Sequence, residues 1–375
     1  MPHIAVVTTS FPGEKPGSEA AGSFVSDFTE ELAKHAQVTV LAPGLREGVA
    51  GDFHYGVRRF TVPSLPLSLL RPGNVTHWPK ILQVLRSGQA ALFDIVERQS
   101  IDHIFALWAL PSGYWARRVS QARGIPYSVW VLGSDMWALK DIPIVRGVLC
   151  SVLRESHYRF ADGRALARNV ENLAGCACGF LPSARRLDKT FHKALSAGPP
   201  FKLAFLGRMH PIKGVDLLFD ALSKLNEDDW SKISAVKIAG GGPLETKLKD
   251  HSLRFQQSGR PVTLCGYLNK SKASELLIWA DWLLLPSRTE SIPVVFSDAM
   301  VCQCPVISTP VGDLPSLIDE YKVGIYSSSM TSEAYVGAIR SALRRSPIDC
   351  KVGMKAAAEQ FDISRIAARL AAQLL

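Results

Sequence analysis

Two loops in the second half of the chain carry side chains that suit a phosphorylated ligand. The first loop, Gly207–Gly214, follows an apolar segment, precedes an amphipathic one, and contains Arg208 and Lys213. A loop between a strand and a helix presents free backbone N–H groups and the positive end of the helix dipole. An arginine fork matches two phosphate oxygens, and a lysine adds a compact positive charge. We interpret this loop as a diphosphate site, although two solvated cations on an ordinary loop fit the same pattern.

The second loop combines a carboxylate with the start of another helix. Glu290 follows an apolar segment, and the predicted helix Pro293–Val301 carries Asp298 about one turn from its start. A carboxylate at a strand end accepts hydrogen bonds from sugar hydroxyls, and the amides of Ile292 and Val294 open toward a phosphate. Asp298 is placed to bind a ribose diol. Taken singly, each acid is equally consistent with an ordinary charge at a helix N-terminus.

The elements around these loops alternate between short apolar segments and segments of helical periodicity. The predicted strands are Ile4–Thr8, Val38–Ala42, His103–Leu107, Tyr127–Leu132, Lys202–Leu206, Ala235–Ala239, Val262–Cys265, Trp282–Leu285 and Pro305–Ser308. The predicted helices are Phe24–Lys34, Ile81–Glu97, Ser112–Arg123, Val215–Leu225, one from Leu244, Lys272–Ala280, Pro293–Val301 and Ile363–Leu375. A Gly-rich loop, Gly17–Gly22, follows the first strand.

This alternation predicts an α/β protein with two Rossmann-like, doubly wound domains. Strands that alternate with helices form parallel sheets, and ligands bind at the carboxyl ends of such strands. We place the N-terminal domain at residues 1–183 plus 360–375 and the C-terminal domain at residues 184–359. Two such sheets that face each other enclose a cleft.

Composition and charge restrict the partners. The chain has 375 residues, 47% of them hydrophobic, and a formal net charge of +9. Its basic residues occur as scattered pairs and no nucleic-acid-binding motif is present, so anionic small substrates or an anionic membrane are the expected partners. We find no apolar segment of membrane-spanning length, no signal peptide, and no metal-site spacing among the seven cysteines, and therefore expect a cytoplasmic protein.

The motifs of the C-terminal half together resemble the retaining glycosyltransferases of family 4, which have the GT-B fold. The matching segments are Gly207-Arg208 with Lys213-Gly214, Gly240–Pro243, the strand-end Gly266, Pro286-Ser287 through Glu290, and Asp298 through Val306. The resemblance covers nearly the whole chain and is most specific from residue 203 to residue 320. It implies that Arg208, Lys213 and Glu290 act in catalysis. It also implies that a nucleotide-sugar donor is held by Gly22, Gly207, Gly242, Gly266, Ser291, Ile292, Pro293, Val294 and Asp298.

The N-terminal half resembles the family more loosely. Phe11-Pro12 and Gly22 through Val25 resemble its loop after the first strand, near the donor phosphates and the acceptor. Trp108 through Gly113 and Gly133 through Asp135 resemble its inner-cleft loops. This implies that the acceptor side of the cleft includes Trp108, Ser134 and Asp135. The terminal helix from Ile363 resembles the family's last helix, which crosses back to the N-terminal domain.

The chain departs from the family's pattern at Asp298, at Leu132, and in the segments Leu181–Arg186 and Gly312–Ser316. The second acid of the family's Glu-x7-Glu pair is Asp298 here, so a ribose contact needs a closer approach or a water molecule. The histidine that often precedes Gly-x-Asp is Leu132 here, which removes a polar contact near Asp135.

The resemblance implies transfer with retention of anomeric configuration and without a metal. Arg208 and Lys213 would stabilise the leaving diphosphate, and no Asp-x-Asp motif occurs in the chain. We expect neither a metal nor a cofactor. The nucleotide sugar, most commonly a UDP-sugar in this family, would be the co-substrate.

Several alternatives stay open. An epimerase of the same fold would release free sugar, and a non-catalytic donor-binding subunit would bind the donor without turnover. A nicotinamide dehydrogenase is disfavoured, because no Gly-x-Gly-x-x-Gly follows the first strand. The hydroxyl acceptor and the oligomeric state are not identified by the sequence. Apolar residues beside Arg71, Lys80 and Arg86 are consistent with contact to an anionic membrane and also with a plain surface helix.

Overall fold

The computed structural model describes residues 1–13, 22–50, 54–139, 141–187 and 193–374, and the chain divides into two α/β units. The N-terminal unit comprises Met1–Arg186 with the terminal segment Ile363–Leu375, and the C-terminal unit comprises Leu187–Asp362. Each transition lies three residues after the boundary expected from the sequence. The predicted Gly17–Gly22 loop lies outside the described residues except for Gly22.

The described strands form one sheet in each unit. The N-terminal strands are β1 (His3–Val7), β2 (Gln37–Gly44), β3 (Gly48–Ala50), β4 (Gly56–Thr61), β5 (His103–Leu107), β6 (Tyr127–Val131), β7 (Arg159–Ala161) and β8 (Gly179–Phe180). The C-terminal strands are β9 (Phe201–Leu206), β10 (Ile233–Ala239), β11 (Val262–Gly266), β12 (Trp282–Leu285), β13 (Val306–Ser308) and β14 (Gly324–Tyr326).

The helices connect these strands. The first unit contains α1 (Ser23–Leu32), α2 (Trp78–Arg98), α3 (Tyr114–Arg123), α4 (Ser134–Leu139), α5 (Pro143–Glu155) and α6 (Arg164–Ala174). The second contains α7 (Val215–Ser223), α8 (Glu227–Ser231), α9 (Glu245–Gln257), α10 (Lys270–Trp279), α11 (Val294–Val301), α12 (Leu314–Tyr321), α13 (Ser332–Ala342) and α14 (Lys351–Gln360). The last helix, α15 (Ile363–Leu374), belongs to the N-terminal unit. Short 3-10 turns lie at Leu67–Leu69, Val75–His77, Pro211–Lys213 and Pro347–Cys350, and a π-type turn lies at Ala109–Gly113.

The N-terminal sheet has the order β3-β4-β2-β1-β5-β6-β7-β8, and only the β3–β4 pair is antiparallel among the described strands. Successive residues of a strand point to opposite faces. In β1, Ala5 and Val7 join the core under α2 and α3, whereas Ile4 and Val6 join the core under α1 and α15. Both faces of this sheet are therefore covered, which explains why its central strands are apolar runs without alternation.

The C-terminal sheet is parallel and has the order β11-β10-β9-β12-β13-β14. The chain therefore reverses its direction of progress across the sheet between β9 and β12, which are paired through Leu203 and Trp282. A doubly wound sheet binds its ligand at the carboxyl edge beside this switch point. The loops after β9 and β12 leave the sheet at that position, and these are the two loops singled out in the sequence.

The elements that the sequence pattern missed are β3, β4, β7, β8, β14, α4, α5, α6, α8, α12, α13 and α14. In β4 the Arg58-Arg59 pair interrupts the apolar run, yet Arg59 is buried. Its guanidinium donates hydrogen bonds to the carbonyl oxygens of Pro43 at 3.1 Å and Pro12 at 2.5 Å, and it lies over the Phe11 ring. The sequence predicts a surface position for such an arginine, because the carbonyl groups that allow its burial are distant in the chain.

Candidate functional site

The loop after β9 is shaped by a close approach to the loop after β12. The 3-10 turn Pro211–Lys213 is capped by His210, whose Nδ1 accepts a hydrogen bond from the N–H of Ile212 at 3.2 Å. Gly214 follows with a φ of +66°, and a Cβ at this position would lie 1.8 Å from the carbonyl oxygen of Pro286. Only glycine allows this contact, which holds the two loops together at the switch point.

Lys213 and Glu290 form an ion pair across these loops. The Lys213 ammonium donates to Oε1 of Glu290, and the Ser287 hydroxyl donates to the same oxygen at 3.2 Å. The two charged side chains are 23% and 13% exposed. Hydrogen bonds between charged groups in a partly buried place are strong and directional. The cation expected for a diphosphate and the carboxylate expected for a sugar therefore lie in one site, where each positions the other.

Arg288 and Asp216 make a second ion pair between the same loops, which the sequence analysis missed. Nη1 of Arg288 donates to Oδ1 of Asp216 at 2.7 Å, and Nη2 donates to Oδ2 at 2.9 Å. Nη1 also donates to the Pro211 carbonyl at 2.6 Å, and the Arg288 N–H donates to the Ile212 carbonyl at 2.8 Å. The four hydrogen bonds place the start of the second loop against the turn that carries Lys213.

The pKa values of this pair follow from its bidentate geometry. The hydrogen bonds to Asp216 raise the pKa of Arg288. For Asp216, burial alone acts to raise the pKa, but the hydrogen bonds and charge of Arg288 outweigh burial and lower it. Both groups are therefore charged at neutral pH, so the pair holds the loops together across the physiological range.

The Gly-rich loop after β10 lies against the loop after β9. The N–H of Gly207 donates to Ala239 at 3.1 Å, and the N–H of Met209 donates to Gly241 at 2.9 Å. On the other side of the loop, the N–H of Gly240 donates to the carbonyl of Gly266 at 2.8 Å. Three neighbouring strand ends are thus joined through their backbones. Gly242, which was also expected at the donor, follows in the same loop, and its carbonyl accepts from the N–H of Glu245 at 3.0 Å.

Arg208 is the exposed cation of the site. Among the described residues its guanidinium forms no ion pair, in contrast to Lys213 and Arg288. Its backbone carbonyl accepts from the N–H of His210 at 2.8 Å, which fixes the start of the loop while the side chain stays in solvent. Arg208 is therefore available to an anion without the loss of an existing pair.

The start of α11 supplies backbone groups next to Glu290. Ser291, Ile292 and Pro293 are buried, and Val294, the first residue of the helix, is half-buried. The first N–H groups of a helix lack partners within it, so they can bind an anion. Within the described part of the chain, the buried Ser291 hydroxyl has no hydrogen-bond partner. A buried hydroxyl without a hydrogen-bond partner destabilises the fold unless a ligand or a water molecule binds it.

Asp298 lies deeper in the helix than its predicted role suggests. It is 1% exposed, and its backbone carbonyl accepts from the N–H of Cys302 at 2.9 Å. The position within α11 agrees with the sequence analysis. The ribose contact expected of Asp298 stays a prediction.

The expected residues of the N-terminal unit lie at the carboxyl edge of its sheet, beside β1, β5 and β6. Gly22 caps α1 with a φ of +71°, and a Cβ there would lie 2.6 Å from the backbone of Ser10. The loop after β1 therefore packs directly on Gly22. Trp108, at the end of β5, has a φ of +68° and meets Phe24 edge to face, with ring centroids 6.3 Å apart.

Asp135 joins the loops after β5 and β6. Its carboxylate is buried, and Oδ2 accepts from the N–H of Ala109 at 2.6 Å. Burial raises the pKa of Asp135 to about 6, although hydrogen bonds from backbone N–H groups act in the opposite direction. The neighbouring Ser134 is exposed and begins α4. Ser134 therefore lies at the surface, whereas the buried Asp135 binds the backbone of the loop after β5.

Metal ligands are not grouped in the part of the chain that the structure describes. No three or more His, Cys, Asp or Glu side chains lie close enough together there to hold a metal ion. Over the same residues, no helix combines the length and the hydropathy needed to cross a membrane.

Two doubly wound α/β units, with the loops of the second unit shaped around Lys213 and Glu290, define the GT-B fold. Solved structures with the same fold include the sucrose-phosphate synthase of Thermosynechococcus elongatus, with a TM-score of 0.77, 17% identity, and coverage of 100% of this chain and 98% of that chain. They also include Anabaena HepE in complex with UDP-glucose, with a TM-score of 0.69, 16% identity, and coverage of 99% of both chains.

Residues 200–345 match the model of the family described as Glycosyl transferases group 1. Among relatives, a Bacillus subtilis (strain 168) protein named as a teichuronic acid biosynthesis glycosyltransferase, TuaC, is 29% identical over 239 residues, which are 59% of this chain and 56% of that protein. A D-inositol 3-phosphate glycosyltransferase of Jonesia denitrificans is 28% identical over 165 residues, which are 42% of this chain and 39% of that protein. The chain thus spans about half the length of these curated relatives.

Proposed function

We propose that this protein transfers a sugar from a nucleoside diphosphate sugar to a hydroxyl acceptor. The observation that carries the proposal is the placement of Lys213 and Glu290 in one ion pair at the switch point of the C-terminal sheet. A cation for the diphosphate and a carboxylate for the sugar hydroxyls must lie within one sugar's length of each other, and this pair meets that requirement. The match to the group 1 glycosyltransferases over the same residues supports the same activity.

A UDP-sugar is the donor we propose. Anabaena HepE, which has the same fold, has been solved in complex with UDP and with UDP-glucose. In this chain, Gly207, Gly242 and Gly266 at neighbouring strand ends would accommodate the nucleotide, and Asp298 would reach its ribose. The buried, unpartnered hydroxyl of Ser291 at the start of α11 supports a phosphate or sugar oxygen in this place.

In the proposed mechanism the site stabilises the leaving diphosphate. As the glycosidic bond breaks, negative charge develops on the diphosphate, and groups already aimed at that charge lower the barrier most. Arg208, Lys213 and the N-terminus of α11 would perform this task, while Glu290 accepts hydrogen bonds from the sugar. Retention of configuration is part of the proposal and rests on the resemblance to family 4.

We further propose that the reaction needs no divalent metal. The two cations of the site would take the place that a metal occupies between phosphates in other transferases. Transfer measured with and without EDTA should therefore agree within about twofold. A rate that falls with EDTA and returns with Mg²⁺ or Mn²⁺ would contradict metal independence and leave the donor assignment intact.

The acceptor would bind at the carboxyl edge of the N-terminal unit. Gly22, Trp108 and Ser134 lie on the loops that leave this edge, and Asp135 holds two of these loops together. The acceptor itself is proposed only as a hydroxyl compound.

A two-step experiment tests the proposal. Thermal-shift measurements with a panel of nucleotides and nucleotide sugars should show stabilisation by one UDP-sugar, because a ligand that binds only the folded state raises its stability. Incubation with that donor and candidate acceptors, followed by NMR of the products, should then show a new glycosidic bond. Free sugar with inverted stereochemistry at a ring carbon would indicate an epimerase, and binding without any product would indicate a non-catalytic subunit.

A further inference from the structure

The exposed apolar side chains of the N-terminal unit are concentrated at one edge of its sheet. Apart from Met1, the large hydrophobic residues exposed there are Leu45, Leu65, Leu69, Val75, Trp78, Leu82, Trp137 and Ile144. All of them lie on segments that follow the carboxyl ends of β2, β4 or β6, up to the first turns of α2 and α5. Scattered exposed hydrophobics need no explanation, but a set confined to one edge does.

The start of α2 and the segment before it form the centre of this set. Val75, Trp78 and Leu82 are 72%, 55% and 48% exposed, and they follow one another at helical spacing. The opposite face of α2 is buried in the core through Val84, Leu92 and other residues. The helix thus has apolar residues on both faces at its start, and nothing in the described residues covers the outer one.

The charge around this face has one sign. No Asp or Glu occurs between Asp52 and Asp94, while Arg71, Lys80 and Arg86 are exposed within that interval. None of these three forms an ion pair with any described residue. The acids on the neighbouring loops are Glu47 and Asp141.

We propose that this edge, defined by Leu69, Val75, Trp78, Leu82, Arg71, Lys80 and Arg86 and called the basic apolar edge below, binds the surface of an anionic lipid bilayer. Apolar side chains with a tryptophan, flanked by lysine and arginine and free of acids, are the composition that lies in a membrane interface. Outside this edge, the exposed Trp137 and Ile144 follow β6, which is four strand spacings, roughly 19 Å, from β4. A fluid surface can meet such a dispersed set, whereas a small molecule cannot.

The inference goes beyond the proposed activity and does not depend on it. It concerns only where the protein resides when it works. If it is combined with the sugar-transfer proposal, it implies that the acceptor edge of the N-terminal unit faces lipid, since the basic apolar edge and the loops of Trp108 and Ser134 leave the sheet on the same side.

Vesicle flotation with the full chain tests the inference. The protein should float with phosphatidylglycerol-containing vesicles at low salt, and much less with pure phosphatidylcholine vesicles. The double variants Leu69→Ser with Leu82→Ser, and Lys80→Glu with Arg86→Glu, should each lower the bound fraction about tenfold, because both apolar insertion and charge contribute. All four side chains are exposed, so the fold should be unaffected, as checked by thermal unfolding.

Matched variants on the C-terminal unit provide the controls. Ile348→Ser with Val352→Ser removes two exposed apolar side chains, and Arg344→Glu with Arg345→Glu reverses two exposed charges. Flotation of these variants within twofold of wild type supports the inference. Absence of wild-type flotation, or an equal loss in the edge and control variants, overturns it. Self-association that is lost in the edge variants while flotation persists would show that the face binds a second copy instead.

Discussion

His103 is a buried histidine at the start of β5, and its protonation couples pH to stability. Its Nε2 lies 2.9 Å from the Ser128 hydroxyl, and burial, together with the nearby His157, lowers the His103 pKa to about 4. In an unfolded chain the pKa is about 6.5. Since the folded pKa is the lower one, protons bind the unfolded state more tightly. The stabilisation is complete above pH 6.5 and is lost as the pH falls toward 4.

We therefore predict that the free energy of unfolding falls by roughly 2 kcal/mol from this group alone between pH 7 and pH 5. Urea unfolding at both values should show the fall, and His103→Gln should remove that part of it. The raised pKa of Asp135 acts in the opposite direction, since its contribution is lost as the pH rises toward 6. The comparison of wild type with His103→Gln cancels this term. Parallel pH profiles for the two proteins would rule out the assignment.

Glu290 allows the two roles of the ion pair to be separated. Glu290→Gln keeps the shape of the side chain but removes the charge that faces Lys213. If Glu290 serves the sugar and Lys213 the diphosphate, the variant should release sugar from the donor about a hundredfold more slowly, while UDP affinity stays within about threefold. Calorimetric titration with UDP and initial rates measure the two quantities. An equal loss in the rate of sugar release and in the affinity for UDP would mean that Glu290 only holds Lys213 in place.

The residue types of the site could be read from the sequence, but their pairing could not. Arg208 and Lys213 in a strand-to-helix loop, combined with the other motifs of the C-terminal half, led us to predict an anion site, which stays a prediction. The contact between Lys213 and Glu290 joins positions 77 residues apart, and the contact between Arg288 and Asp216 joins positions 72 apart. Both depend on β9 and β12 being neighbours, which is a property of the sheet order and not of any local pattern.

Among the elements, the turn that leads into α7 is tightly constrained by its surroundings. Gly214→Ala would place a methyl group against the Pro286 carbonyl at a positive φ. We predict a loss of more than about 2 kcal/mol of unfolding free energy, since the left-handed conformation and the steric overlap both oppose alanine. Chemical denaturation of the purified variant measures the loss.

Gly337→Ala is the matched control for this prediction. Gly337 lies within α13, is exposed, and has open space where a Cβ would be. Alanine there should be neutral or stabilising by about 0.5–1 kcal/mol, because it favours the helix. Gly214→Ala should therefore lower the unfolding free energy, whereas Gly337→Ala should leave it unchanged or raise it. A Gly214→Ala protein as stable as Gly337→Ala would show that the loops can separate at little cost.

In the C-terminal unit every strand from β9 to β13 was predicted, whereas β14, α8, α12, α13 and α14 were missed. Strands such as β12 are continuous apolar runs that end before Gly, Pro or Ser, and His103–Leu107 was also predicted at its observed bounds. The helix α5 was missed because it follows a short helix, α4, rather than a strand, so the expected alternation is broken. The helix α6 was missed together with β7, the three-residue strand that precedes it. Edge strands of two or three residues, such as β7 and β8, are too short to carry a pattern.

For the whole molecule, the last helix of the chain belongs to the first unit. The helix α15 follows the C-terminal unit in the chain but packs against α1 in the N-terminal unit, where Leu370 is fully buried. We predict that Leu370→Ala lowers the unfolding free energy by about 2–5 kcal/mol, as expected for a cavity in a packed core. Gln373→Ala, an exposed position of the same helix, should change it by less than about 0.5 kcal/mol. Equal effects would mean that α15 contributes no core.

The central claim is that Arg208 and Lys213 stabilise the leaving diphosphate of a sugar donor. The most direct measurement is the rate of sugar release from the donor found by thermal shift, in Arg208→Ala and Lys213→Ala and in the control variants Arg254→Ala and Lys247→Ala, whose side chains are exposed on α9. The account predicts that each site variant is slower by about a hundredfold to a thousandfold and that the controls match wild type. Near-normal rates in both site variants would contradict it.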